Sequence, residues 1–261
     1  MKVVILCGGM GTRIRDVADD IPKPMIRVGN YPILWHIMKY YATFGHNEFI
    51  LCLGYKSNVI KDYFLNYKAH TSDFSLTLGN EDSLTFYTEN AEKEWKITFA
   101  ETGANALTGA RIRKIKKYIE PNEKFFLTYG DGLSNVDLNQ LENFHKSHGK
   151  VLTLTGVRPA GRFGELMADF SGMITEFNEK PQATEGRING GFFTSDYRLF
   201  DYLDEGEDIM FEQEPMKKLI EGNQLMQFNH DGFWQPMDTF REYTLMNSLI
   251  QNNQAPWKIW E

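Results

Sequence analysis

The run Val3-Val4-Ile5-Leu6-Cys7, followed at once by Gly8-Gly9-Met10-Gly11-Thr12-Arg13, constrains this chain more than any other stretch. A short, uninterrupted apolar run ending in glycines reads as a strand buried on both faces, and such strands belong to parallel sheets covered by helices. The glycines let the backbone turn successive N–H groups toward an anion, which β-carbons would obstruct. Arg13, and Lys23 within Pro22-Lys23-Pro24-Met25, add a planar fork and a compact charge suited to phosphate oxygens. The segment is expected to hold a nucleoside triphosphate; an ordinary strand-to-helix turn with a surface arginine is the alternative. A dinucleotide fingerprint would need glycine where Ile14 stands, and a P-loop would need Lys-Ser/Thr where Thr12-Arg13 stands.

Beyond that loop the pattern alternates between strand and helix. Pro32 is placed just inside a helix whose Leu34, Ile37, Met38 and Tyr41 recur at helical spacing, Phe49–Leu53 reads as a strand, and Ser57 is expected to cap the next helix. Residues 72–100 break the rhythm with short β-rich pieces, Ser75–Leu78, Leu84–Tyr87 and Trp95–Ala100, expected to form a β insertion at the sheet edge. A helix over Leu107–Tyr118, a strand over Lys124–Tyr129, a helix around Val136–His148 stopped by Gly149, and a strand over Val151–Val157 complete an α/β reading. After about residue 158 the pattern is mixed, with β-like Glu165–Phe170, Met173–Phe177 and Gly191–Thr194, then helices near Phe211–Glu221 and Thr239–Asn252. The result is a doubly wound, mixed but mostly parallel sheet, whose ligands bind at strand carboxyl ends where the winding reverses.

Charge narrows the function classes. A formal net charge of −7 argues against a broad nucleic-acid surface, so anionic substrates must meet a few well-placed cations and a divalent metal. No apolar run approaches membrane-spanning length and no leader precedes the first strand, so a cytoplasmic protein without membrane contact is expected. Cys7 and Cys52 lie inside apolar runs and read as buried free thiols, and the histidines show no paired ligand spacing.

Six further groups bear on the chemistry. Asp131, in Tyr129-Gly130-Asp131-Gly132, follows a buried strand and is flanked by glycines, so it reads as a metal ligand or as a turn residue. Asp238, in Gln235-Pro236-Met237-Asp238-Thr239, is the candidate second carboxylate or the N-cap of the helix that follows. Lys180, in Glu179-Lys180-Pro181, offers a cation on a rigid turn for a second phosphate-bearing substrate, against a solvated lysine. Asn189-Gly190-Gly191 suits sugar hydroxyls, against a plain β-turn, and Gly161-Arg162-Phe163-Gly164 is similarly ambiguous. Arg111 is a possible donor to a base or a helix-surface arginine.

Taken in order, Gly-Gly-x-Gly-Thr-Arg, Pro-Lys-Pro-Met, Gly-Asp-Gly, Glu-Lys-Pro, Asn-Gly-Gly and the late Pro-Met-Asp resemble the sugar-1-phosphate nucleotidylyltransferases. Thr102-Gly103, Leu107-Thr108-Gly109-Ala110-Arg111, Asn189 to Phe193 and Gly232 to Thr239 extend the likeness to the glucose-1-phosphate cytidylyltransferase branch, from end to end of the chain. Cys7, Ile14 and Ala110 depart from the usual alanine, leucine and glycine.

The resemblance implies a Rossmann-like nucleotidyltransferase fold in one domain, with a nucleotide-binding part over about residues 1–157 and a sugar-binding part over about 158–261. It implies that Leu6, Cys7, Gly8, Gly9, Met10, Gly11, Thr12, Arg13 and Lys23 hold the nucleotide, with Gly130 beside them. Thr102, Gly103, Thr108, Gly109 and Arg111 would read the base. Asp131 and Asp238 would bind Mg2+, Lys180 the sugar phosphate, and Gly164, Glu179, Asn189 and Gly190 the glucose ring. Arg13, Lys23, Asp131, Lys180 and Asp238 would be the catalytic set. The reaction implied is CTP plus glucose 1-phosphate giving CDP-glucose and pyrophosphate. Its nucleophile is already ionised, in keeping with the lack of a Ser-His-Asp or Cys-His constellation. A uridylyl- or thymidylyltransferase and a non-catalytic nucleotide-sugar sensor are the alternatives. A homo-oligomer is expected, with residues 72–100 and Trp257-Lys258-Ile259-Trp260 as contact surfaces or intramolecular packing.

Overall fold

A computed structural model describes residues 1–9, 21–79, 83–159, 165–168, 170, 173–178 and 186–260. Strand β1 (Lys2–Leu6) opens the chain, and the short strands β2 (Arg27–Val28) and β3 (Tyr31–Pro32) lead into helix α1 (Ile33–Thr43), with Pro32 at its N-cap. Strand β4 (Glu48–Leu53) is followed by α2 (Ser57–Leu65) and α3 (Tyr67–Thr71). Ser57 is the first helical residue rather than the cap: Lys56 occupies the cap position at φ 51°, so the turn is made by a left-handed residue and not by a side-chain oxygen.

The expected insertion is smaller than its sequence suggests. Only β5 (Phe74–Ser75) and β6 (Thr85–Phe86) form a separate two-stranded ribbon, which carries exposed Phe74 and Leu84. The third piece is β7 (Lys96–Glu101), which pairs in parallel with β4 and forms one edge of the main sheet.

Helix α4 (Thr108–Lys114), strand β8 (Lys124–Tyr129) and the short β9 (Gly132–Ser134) come next. In α5 (Leu138–His148) the Asp137 side chain accepts from Gln140 N at 3.0 Å, and Gly149 ends the helix at φ 64°. Strand β10 (Leu152–Val157), the hairpin β11 (Glu165–Ala168) with β12 (Ile174–Asn178), and the long β13 (Ile188–Asp196) follow. The chain continues with α6 (Glu214–Glu221), β14 (Leu225–His230), β15 (Trp234–Pro236) and α7 (Phe240–Gln251).

The seven-stranded sheet has the order β14-β10-β13-β8-β1-β4-β7, parallel throughout except where β13 runs against β8 and β10. Alternate residues of β1 feed opposite faces: Val3 and Ile5 join a core with α1 and α7, while Val4 and Leu6 join one with α4 and α6. From β1 the chain winds to β4 and β7 on one side, then returns to place β8 on the other, so the reversal lies between β1 and β8. The aromatic tail packs within the chain. Trp257 is fully buried against His36 and Phe233, and Trp260 meets Trp35 edge-on.

Burial holds three histidines neutral. His36 Nε2 donates to Val28 O (2.7 Å), His145 Nδ1 faces Thr153 Oγ1 (2.9 Å), and His46 lies beside the N-terminal amine (3.2 Å). Burial lowers all three to about 4, aided by the amine at His46 and by His148 at His145. The unfolded chain, with histidines near 6.5, therefore takes up protons first as pH falls. Stability is fully present above pH 6.5 and is lost as pH drops toward 4; His36 alone accounts for on the order of 3 kcal/mol across that window. Thermal melting is expected to show Tm lower by about 10 °C at pH 5 than at pH 7, given 2–4 °C per kcal/mol for a chain of this size. A Tm unchanged between those pH values would contradict neutral buried imidazoles.

Candidate active site

Leu6 and Tyr129 are register partners at the carboxyl ends of β1 and β8, so the chain leaves both strands at one place. Gly130 N donates to Leu6 O at 3.1 Å, which draws the two exits together. A β-carbon on Gly130 would lie 2.9 Å from Leu6 O and 3.1 Å from Pro24 Cγ, so only glycine permits that approach. The cleft so formed has a volume of about 350 Å3. Gly8, Gly9, Lys23, Thr108, Arg111, Asp131 and Asp238 are among the residues that line it.

The two carboxylates meet because β9 pairs antiparallel with β15, setting Gly132 opposite Pro236, while Met237 N donates to Asp131 O at 2.8 Å. Asp238 is not the helix cap. Thr239 caps α7 in a capping box, and Glu242 accepts from the backbone of both Asp238 (2.6 Å) and Thr239 (2.8 Å), which leaves the Asp238 side chain free to face the cleft. Lys23, from the turn that follows Pro22, places its ammonium 2.6 Å from Asp131 Oδ2 and 2.5 Å from Asp238 Oδ1. Burial alone would lower the Lys23 pKa, but attraction to Asp131 and then Asp238 outweighs it and holds the ammonium above the ordinary lysine value.

A cation thus already lies between the carboxylates, and their all-oxygen chemistry fits a hard dication such as Mg2+. No cluster of three or more His, Cys, Asp or Glu suited to a metal exists among the described residues. Two carboxylates suffice where phosphate oxygens and water fill the remaining positions.

Arg111 is not a surface arginine. It is 4 % exposed, and its guanidinium donates to Leu53 O (3.0 Å), Gly103 O (2.8 Å), Ala104 O (3.3 Å), Gly8 O (2.9 Å) and Thr102 Oγ1 (2.8 Å). Gly8 and Gly54 leave the space it fills, since a β-carbon at either would collide with the guanidinium. Burial lowers its pKa, yet an arginine remains charged, and no carboxylate pairs with it among the described residues. A full positive charge therefore underlies the Gly8–Gly9 turn. Thr102 is buried with its hydroxyl on Leu53 O (2.6 Å), and Gly103 adopts φ 104°. Gly109 packs against Ile209, where a β-carbon would come within 2.6 Å. The thiols are inert: burial pushes Cys52 up to about 12 and raises Cys7 well above its usual value.

A second cleft of about 260 Å3 adjoins the first and shares Tyr129, Asp131 and Asp238 with it. Asn189 and Gly190 line it, and Trp234 Nε1 donates to Gly190 O at 2.7 Å. Met10, Gly11, Thr12, Arg13, Gly164, Glu179 and Lys180 lie outside the described residues. No sequence signal marks Tyr129, which lines both clefts, or Met210 and Glu212 from the segment crossing α4.

No helix among the described residues is long and apolar enough to cross a membrane. The sequence matches a family model described as nucleotidyl transferase over residues 2–253. It is 43% identical over 261 residues to glucose-1-phosphate cytidylyltransferase of Salmonella typhi, with 100% of each chain covered. It is 46% identical over 262 residues, again with 100% of each covered, to probable glucose-1-phosphate cytidylyltransferase of Bacillus subtilis. Among solved structures, a putative glucose-1-phosphate thymidylyltransferase from Bacillus anthracis in complex with sucrose matches at a TM-score of 0.70 and 15% identity, covering 97% of this chain and 96% of that one, a likeness of fold alone.

Proposed function

The chain belongs to the nucleotidyl transferase family, and from that premise we propose that it transfers the cytidylyl group of CTP to α-D-glucose 1-phosphate, giving CDP-glucose and pyrophosphate. The observation that carries the reading is the meeting of two clefts at Asp131, Asp238 and Lys23. One cleft has glycine N–H groups and buried positive charge for a triphosphate; the other has an amide and a backbone carbonyl for a sugar.

In this reading a phosphate oxygen of glucose 1-phosphate attacks the α-phosphorus of CTP. The bond from that phosphorus to the bridging oxygen breaks, and pyrophosphate leaves with its electron pair. No proton need move, so the task is alignment and neutralisation of two polyanions. Asp131 and Asp238 would hold Mg2+, which would supply charge neutralisation at the reacting phosphates. Lys23, beside both carboxylates, would lend its charge to the phosphates, and Gly8 and Gly9 would present backbone donors to them. The family resemblance adds Met10, Gly11, Thr12 and Arg13 on the triphosphate, Lys180 on the sugar phosphate, and Glu179 and Gly164 beside Asn189 and Gly190 at the glucose ring. The resemblance puts Thr102, Gly103, Thr108, Gly109 and Arg111 about the base, and of these Thr108 and Arg111 line the first cleft.

Pyrophosphate release across a panel of triphosphates and sugar phosphates tests this reading. CTP with glucose 1-phosphate and Mg2+ is expected to react on the order of 10²-fold faster than UTP or dTTP, as hydrogen-bonded selection of a base allows. Faster turnover with UTP or dTTP would assign the other base, and tight CTP binding without Mg2+-dependent pyrophosphate release would make the protein a sensor.

A further inference from the structure

We propose that Tyr129 is a positioning residue that couples the two clefts, so that nucleotide in the first tightens the hold of the second on sugar phosphate. The inference rests on the assignment of the clefts to those two substrates. Tyr129 is the last residue of β8 and lines both clefts. Its ring is fixed: Gly191, at φ 75°, lies so close that a β-carbon there would come 2.5 Å from Cδ2, and Phe193 meets the ring edge-on at 5.8 Å. The hydroxyl is therefore held at one point in the wall.

That hydroxyl links polar groups of both clefts. It donates to Glu212 Oε1 and accepts from Asn189 Nδ2 at 3.3 Å. The second carboxylate oxygen of Glu212 accepts from Thr108 Oγ1 at 2.7 Å, and that hydroxyl in turn accepts from Phe211 N at 2.9 Å. At the far end, Gly191 N donates to Asn189 Oδ1 at 2.9 Å, which fixes which way the amide faces. A continuous chain, Thr108–Glu212–Tyr129–Asn189, thus runs from the start of α4 in the first cleft to β13 in the second. The segment bearing Glu212 is tied to α4 by Leu107 N on Glu207 O (3.0 Å) and Gly109 N on Ile209 O (2.8 Å).

Glu212 and Asn189 are exposed, so their rotamers cost entropy to fix. A nucleotide that engages Thr108 holds Glu212 in the rotamer that meets the Tyr129 hydroxyl, which strengthens the existing hold on Asn189 before the sugar phosphate arrives. Such coupling must be reciprocal between the two ligands. Phenylalanine at position 129 keeps the ring and removes only the link.

Titration calorimetry without divalent metal tests this, with CTP and glucose 1-phosphate as unreacting probes. In the unaltered protein, saturating CTP is expected to lower the Kd of glucose 1-phosphate about tenfold, within the usual range of coupling, and glucose 1-phosphate to lower the Kd of CTP by the same factor. In Tyr129→Phe the factor should fall below about twofold. Glu212→Gln, at an exposed position, should lose the coupling likewise and carries the test if Tyr129→Phe folds poorly. Coupling retained in both variants, or absent from the unaltered protein when both ligands bind, would overturn the inference. Failure of the unaltered protein to bind either ligand would overturn the cleft assignment itself, and this inference with it.

Discussion

Replacing Asp131 by asparagine is expected to lower turnover about 10³-fold or more while the protein stays folded. Asparagine keeps the size of the side chain and the turn between Gly130 and Gly132, and removes only the charge. A site that gathers polyanions around a dication then loses one of its two anionic ligands, a change of several kcal/mol in transition-state stabilisation. The cost to folding is small. The Lys23–Asp131 pair is a third exposed on the carboxylate side, and pairs of that kind contribute about 1 kcal/mol or less. CTP binding without metal should be equal or tighter, because one negative charge has left the cleft. Pyrophosphate-release kinetics, melting curves and metal-free CTP titration separate these effects; turnover within tenfold of the unaltered enzyme would remove Asp131 from its role.

Arg111→Met should harm both folding and nucleotide binding. Methionine keeps the unbranched apolar stem, but the carbonyls of Gly8, Leu53, Gly103 and Ala104 lose the guanidinium that gathers them. Leu53 O keeps a donor in Thr102, whereas Gly8 O retains only a long contact from Tyr55 N at 3.5 Å. Unsatisfied buried polar groups cost about 1–3 kcal/mol each, so a loss of about 3 kcal/mol is expected, seen as a fall in Tm of roughly 6–12 °C. CTP affinity should drop by about 10²-fold, because the floor of the Gly8–Gly9 turn and the charge below it go together. Arg111→Lys keeps the charge but cannot span the same acceptors, and should fall between the two. Unchanged melting and CTP binding in Arg111→Met would refute this account.

The sequence disclosed what is local. Buried strands such as Val3–Leu6 and Phe125–Leu127 show as apolar runs, and Gly130-Asp131-Gly132 marks a strand exit by its glycines alone. The sheet edges were harder to read. Lys96–Glu101 is only half covered, with Ala100 its one buried residue, so it resembles a strand of a separate ribbon, and Leu225–His230 at the opposite edge, also only partly covered, was missed. Asp238 was ambiguous because Asp and Thr both cap helices, and only the reach of Glu242 decides between them. Arg111 sits in a short basic helix like any surface arginine; its acceptors come from three separate segments that only the fold assembles. Tyr129 carries no local mark either, since a partition is defined by what lies on each side of it.

The pairing of β9 with β15 also orders events in time. Lys23 and Asp238 are 215 positions apart, so a polypeptide growing on a ribosome exposes its glycine turn, Lys23 and Asp131 long before Asp238 is made. Domains assemble from their early-made parts first, and contacts this distant in the chain form late. A prematurely released fragment therefore carries the anion-attracting turn without the second carboxylate, and only translation through the α7 region yields a molecule able to pair its two substrates.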